Sequence, residues 1–351
     1  MDNVFEYLKW RDDIYLEKLN EIDVLIFNRL VYFPWEKIIN ENEHLSIKEA
    51  YQKCLSISNL KYAKDDFELV KLLSLSNRYK DLVLSNVVSI NNLKNEEQFM
   101  AITINLPKNY LYLAFRGTTN DIIGWKESLN MLYKTIDSQL DALDYLNKTN
   151  ITKKIYLGGH SKGGNLAMYA AINANRLIQR RIEKVFNYDG PGFLELNEKY
   201  YRINQKIISY MPCSSIIGRL MNINHQIVII ETAKKGLSSH NLYNWLIEKN
   251  HFIFSDFTKE SDLLKKVIDE FLTKVSKTKR EKLINDIFDS ILKTGATSIK
   301  EINFSKLKDI LLSYRNLDDE SKEIMINIMK LLYENTKENM KKGNNIMDKT
   351  V

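Results

Sequence analysis

The spacing of apolar and polar positions changes period several times along this chain. Residues 16–35 set Leu19, Ile22, Leu25, Ile26 and Leu30 along one helical stripe, and 65–84 reads as a further helix. At 98–106, Q-F-M-A-I-T-I-N-L, the period drops to two, as in a strand, and Pro107-Lys108-Asn109 ends it. Residues 110–115, Y-L-Y-L-A-F, are almost wholly apolar and aromatic, the composition of a strand covered on both faces. The two predict a hairpin, and 138–146 suits a helix.

Beyond that point strands and helices alternate. A strand at 154–157 runs into Gly158-Gly159-His160-Ser161, and a small-residue helix follows at 164–174. A strand at 184–188 ends in Asp189-Gly190-Pro191-Gly192, with further strands at 205–210 and 226–231. This alternation predicts an α/β fold with a doubly wound, mainly parallel sheet, whose site lies beyond the C-terminal strand ends. After about residue 255 the pattern becomes purely helical, with amphipathic runs at 263–275, 282–292, 305–314 and 321–333. The expected organisation is an α/β domain over 1–254, with its N-terminal helices, and a helical subdomain or cap over 255–351. Residues 341–351 are expected to fray.

Composition narrows the function. The 351 residues are 44% hydrophobic, enough for a sizeable core, and the net charge is only +6, from 51 Lys+Arg against 45 Asp+Glu. Neither half is a basic arm, so a nucleic-acid partner is not expected. The excess does allow peripheral contact with an anionic membrane. Cys54 and Cys213 form neither a metal-type pair nor a disulfide framework, which points to a reducing compartment. The opening M-D-N-V-F-E-Y-L-K-W-R-D-D is broken by charge and lacks a signal-peptide core. No apolar run approaches the ~18 residues of a spanning helix. The expected location is cytoplasmic.

The sharpest chemical signal is Gly159-His160-Ser161-Lys162-Gly163, a G-x-S-x-G motif between a predicted strand and a predicted helix. A nucleophilic serine there sits on a strained turn, so its neighbours must lack Cβ atoms that would strike the flanking strand and helix; Gly159 and Gly163 meet that need. The helix start offers free N–H groups to a developing oxyanion. A glycine-rich turn that binds a phosphate would instead want G-x-x-x-x-G-K-[ST], which is absent. A second strand end, Ala114-Phe115-Arg116-Gly117-Thr118-Thr119, can supply the other oxyanion N–H.

F-R-G-T followed by Gly124-Trp125-Lys126-Glu127, then G-G-H-S-K-G-G-N-L-A, then Y-D-G-P-G-F, resembles a bacterial family of uncharacterised α/β-hydrolases related to the class 3 (triacylglycerol) lipases. The resemblance covers about residues 23–251. It implies an α/β-hydrolase fold and places the oxyanion contact on Thr118, the residue after F-R-G, with the N–H of Lys162 as its partner.

The base must be one of five histidines, His44, His160, His225, His240 and His251. The expected chain order is Ser, then Asp or Glu, then His. His160 adjoins the serine and should point elsewhere. His225 opens a strand, and His251 falls in an expected helix-to-loop junction. His240 follows the last predicted strand and is the expected base; the H-x-x-x-x-W run from His240 to Trp245 also fits the resemblance. Asp189, 28 residues past Ser161, ends the strand after the elbow helix and is the expected acid. Asp before Gly-Pro-Gly can also simply cap a turn. Class 3 lipases usually take their acid from the loop after the next strand, here Met211-Pro212-Cys213-Ser214-Ser215, which has no carboxylate. The site is therefore either Ser161-His240-Asp189 or a Ser-His dyad with hydroxyl support.

The resulting expectation is a serine hydrolase of carboxylic esters, lipase- or esterase-like, acting on a small-molecule or lipid ester with no metal or organic cofactor. H-E-x-x-H is absent. Two rivals stand beside it: a binding or scaffold protein that keeps the fold, and a peripheral membrane lipase.

Overall fold

The computed structural model describes residues 2–10, 19–92, 94–119, 121–149 and 152–292. The helices expected at 305–314 and 321–333, the fraying end and residues 16–18 lie outside them. Four helices lead the chain: α1 (Val4–Trp10), α2 (Glu21–Leu30), α3 (Ile47–Leu55) and α4 (Lys64–Leu75). Asn20 and Asp23 close a reciprocal capping box that fixes the start of α2. The expected helix over 65–84 stops at Leu75, and a strand begins at Val83. The reason is local: the Ser76–Asp81 turns consume the backbone, with Tyr79 and Lys80 N–H donating to the Ser76 carbonyl.

Eight strands form one sheet in sequential order: β1 (Leu45–Ser46), β2 (Val83–Asn92), β3 (Glu97–Leu106), β4 (Tyr110–Phe115), β5 (Lys154–His160), β6 (Ile182–Tyr188), β7 (Ile207–Pro212) and β8 (Gln226–Ile230). The first four are antiparallel to one another, with β3–β4 the expected hairpin, and β4 to β8 run parallel. The helices joining these strands are α5 (Ile122–Asn130), α6 (Asp137–Asn147), α7 (Lys162–Asn173), α8 (Arg176–Arg181) and α9 (Glu198–Tyr201). β9 (Ile247–Glu248) and β10 (His251–Phe252) make a small ribbon, so His251 lies on a strand and not in the expected helix-to-loop junction. α10 (Lys259–Lys274) and α11 (Lys277–Leu292) follow.

Sequential order with right-handed crossovers puts every crossover helix on one face. That face is built from Leu113, Phe115, Leu157 and Val185 against Leu146, Leu166, Ala170 and Ile178. The opposite face, with Ile102, Tyr112, Ala114, Tyr188 and Tyr210, is covered by the N-terminal helices through Ile22, Leu25, Ile26 and Leu69. Helices thus lie on both faces, but the second layer comes from the start of the chain. This mostly parallel, helix-covered sheet is an α/β-hydrolase-like fold. Beyond it, α10 packs Leu264 and Ile268 on Ile216, and α11 packs Ile284, Phe288 and Ile291 on Ile122 and Tyr133.

Candidate active site

β5 delivers Ser161 to the C-terminal edge of the sheet and α7 starts immediately after it. Ser161 takes φ 59° and ψ −131°, a backbone state that L residues enter only under constraint. Its N–H donates to the Tyr188 carbonyl at 2.9 Å. The flanking glycines are sterically required. A Cβ on Gly159 would lie 2.3 Å from the Gly163 carbonyl group, and one on Gly163 would lie 2.1 Å from the Phe115 carbonyl oxygen. The elbow is therefore a place where strand, helix and neighbouring strand touch backbone to backbone.

Asp189 ends β6 with φ 51° and is 1% exposed. Its Oδ2 lies 2.6 Å from His240 Nδ1. Its Oδ1 accepts from Ser215 Oγ at 2.5 Å and from the Gly218 N–H at 3.1 Å. The loop after β7, which lacks a carboxylate, thus grips one instead. These donors hold the carboxylate in place and leave Nδ1–H of His240 as its natural third partner. Sequence reasoning passed over Ser215; the only signal was its place in the loop where a relative would carry the acid.

His240 closes a 3-10 turn, Gly236–His240. Trp245 Nε1 donates to the Ser239 carbonyl at 2.9 Å and Asn244 Nδ2 to the Ser238 carbonyl at 2.7 Å, so the turn is pinned from behind. The His240 carbonyl oxygen lies 2.7 Å from His160 Nε2, and the two rings stand 4.4 Å apart. His160 Nδ1 meets Tyr32 Oη at 3.1 Å, and Tyr32 Oη accepts the Gly117 N–H at 3.1 Å. Burial drives the His160 pKa well below its ordinary value, with His240 adding to the effect. A neutral His160 carrying its proton on Nε2 fits both contacts. His160 therefore positions the histidine loop.

Lys162 opens α7, so its N–H has no helical carbonyl to pair with. Its side chain turns inward and is 1% exposed. Nζ donates to the Gln98 carbonyl at 2.6 Å and pairs with Glu127 of α5. Burial lowers the Lys162 pKa, and Glu127 opposes the shift. Thr118 lies across the elbow. Its hydroxyl bonds Ser128 Oγ, which itself donates to the Gly124 carbonyl at 2.8 Å. The Thr118 hydroxyl proton is thereby used, leaving its N–H for a ligand.

Ser161, Thr118, Lys162, His160 and His240 line one cavity of about 420 Å³. Ser161 Oγ makes no hydrogen bond among the described residues, and the hydroxyl and the His240 ring line the same cavity. A hydrogen bond between nucleophile and base commonly tightens only around substrate. A serine–histidine contact elsewhere in the sheet, Ser209 Oγ to His225 Nε2 at 2.6 Å, is different in kind. Ser209 is fully buried, Tyr200 Oη closes the other ring nitrogen at 2.7 Å, and burial holds the His225 pKa down at about 4. That pair ties β7 to the start of β8 and offers no substrate access.

A helix-covered sheet with a strained serine turn at the C-terminal end of a central parallel strand defines the α/β-hydrolase-like class. Within it, the chain belongs to the Mbeg1-like family, whose profile matches residues 73–289. Among solved structures, an M37 lipase is similar at 15% identity and TM-score 0.34, over 57% of this chain and 68% of that one. The Rhizomucor miehei lipase in its propeptide complex is similar at 11% identity and TM-score 0.37, over 66% and 81%. No curated protein matches the chain. These likenesses are loose, and the chemistry rests on this chain's own residues.

Proposed function

We propose that this protein is a serine hydrolase of carboxylic esters, lipase- or esterase-like, with Ser161 as nucleophile, His240 as base and Asp189 as the residue that orients the base. The observation that carries the reading is the 2.6 Å Asp189–His240 contact in a loop that lines the same cavity as the strained Ser161. His240 Nε2 takes the Ser161 proton as Oγ attacks the ester carbonyl. The Thr118 and Lys162 N–H groups receive the oxyanion. The tetrahedral adduct collapses, His240 returns the proton to the departing alcohol, and water repeats the sequence to free the acid. Leu129, Leu132, Ile217, Leu220 and Leu237 line the cavity and suit an apolar acyl chain.

A scaffold that merely keeps the fold is the second reading, favoured by the unbonded Ser161 hydroxyl. Fluorophosphonate labelling separates them. The hydrolase takes up one label per chain and loses it in Ser161→Ala, whereas an unlabelled, folded wild-type protein refutes the hydrolase.

A further inference from the structure

The cavity around Ser161 has a chemical asymmetry that the triad does not use. Among the described residues its lining includes no aspartate or glutamate, yet it includes the guanidinium-bearing Arg29 of α2. The other cation there, Lys162, has its ammonium turned away to Glu127 and the Gln98 carbonyl. Arg29 is held with unusual rigidity. Nε and Nη2 donate to the two oxygens of Asp66 at 2.6 and 2.8 Å. The guanidinium lies over the Tyr32 ring at 4.4 Å and the Tyr243 ring at 5.0 Å, and Tyr243 Oη donates to Asp66 at 2.6 Å. Among the described residues these hydrogen bonds to Asp66 engage Nε and Nη2 and leave Nη1 without one.

Asn241, next to His240, lines the same cavity. Its Oδ1 accepts the Tyr243 N–H at 3.1 Å, which orients the amide and leaves Nδ2 as a donor. Tyr32, between Arg29 and the elbow, is bonded to His160 and Gly117. The donor-rich wall thus comes from α2 and the histidine loop. The apolar wall comes from elsewhere: Trp125, Leu129 and Leu132 around α5, and Ile217 and Leu220 under α10.

We propose that the substrate is an amphipathic anionic ester: its acyl chain lies along the α5 wall, and a phosphate or carboxylate on its alcohol portion is held by Arg29 Nη1 and Asn241 Nδ2. This rests on the hydrolase reading above and names the substrate class of that same site. A planar, preorganised guanidinium loses little freedom on binding an oxyanion, and its bond to a charged oxygen is among the stronger hydrogen bonds. Asp66 does not cancel this use. It fixes the orientation of the group while Nη1 keeps both of its protons.

The test uses the full chain and three esters of one fatty acid: 1-acylglycerol phosphate, an O-acyl hydroxyacid bearing a free carboxylate, and neutral 1-acylglycerol. The wild type is expected to favour at least one anionic ester over the neutral one by about tenfold or more in kcat/KM, the two anionic arms telling phosphate from carboxylate. Arg29→Gln and Asn241→Ala should each shrink that ratio. Equal efficiencies for all three esters in the wild type overturn the inference without needing any variant, so a poorly folded Arg29→Gln does not rescue it. A ratio unchanged in both folded variants also overturns it. Fluorophosphonate labelling of the same samples tells the two failures apart. Labelled Ser161 with no charge preference sinks only the anionic substrate, and unlabelled wild type sinks the hydrolase beneath it.

Discussion

Lys162 and Glu127 are 1% and 3% exposed, and their ion pair lies directly under the Ser161 turn. Replacing Lys162 by Met removes the cation and strips the Gln98 carbonyl of its 2.6 Å donor. The Glu127 carboxylate then keeps only neutral donors: Gln98 N–H at 3.1 Å, Ser138 N–H at 3.3 Å and Ser138 Oγ at 2.5 Å. Breaking one side of a buried ion pair costs about 3–5 kcal/mol, and three surviving donors place this variant near the lower end. At roughly 2–4 °C per kcal/mol for a domain of this size, Tm should fall by about 6–12 °C. Glu127→Gln should cost a similar amount, because the ammonium loses its counter-charge and the new amide NH2 has to face the donors of Gln98 or Ser138. The double variant should be less destabilised than the two losses summed, by about 2 kcal/mol in a urea double-mutant cycle. A loss below about 1 kcal/mol for Lys162→Met, or strict additivity, would refute the claim that the pair is a coupled buried unit.

Two further outcomes follow from the same contacts. Ser215→Ala removes the hydroxyl that holds Asp189 Oδ1 while sparing the Gly218 N–H, so kcat for a soluble ester should fall about tenfold with little change in KM, read by steady-state kinetics. A change confined to KM would contradict a positioning role. Glu97 faces Asp141, and the hydrogen bond between the two carboxyls, with burial, pushes the Glu97 pKa up to about 8. A raised carboxyl pKa means the folded state holds a proton the unfolded state releases. Stability from this pair is therefore full below the unfolded carboxylate pKa and lost as pH rises towards about 8, and Glu97→Gln should flatten that slope in thermal melts.

How much was legible in the chain depended on whether partners were local. β3 alternates with period two, β4 is almost wholly apolar, and the elbow combines a strand, a glycine-flanked serine and a small-residue helix within about twenty residues. β2 was missed because V-L-S-N-V-V-S-I-N-N is rich in Ser and Asn and its register is interrupted between Ser85 and Val88. Asp189 was legible as a carboxylate at a strand end. What holds it, Ser215 and Gly218, was not, because no periodicity links residues 26 and 29 positions away. Tyr32 and Arg29 were invisible for the same reason. Tyr32 reaches His160 across 128 positions, and an aromatic on a helix stripe looks like any other core residue.

The N-terminal helices have a consequence for how the molecule assembles. They leave the ribosome before most of the sheet, and the face they cover is completed by strands made far later. Tyr188 Oη donates to the Glu21 carbonyl, and the Phe252 N–H donates to Glu21 Oε1 from 231 positions downstream. During synthesis the surface that seats Ile22, Leu25 and Ile26 is therefore completed only after more than two hundred residues have followed them. Such closure is slow, and a nascent chain in that interval presents a greasy stripe that invites chaperone capture.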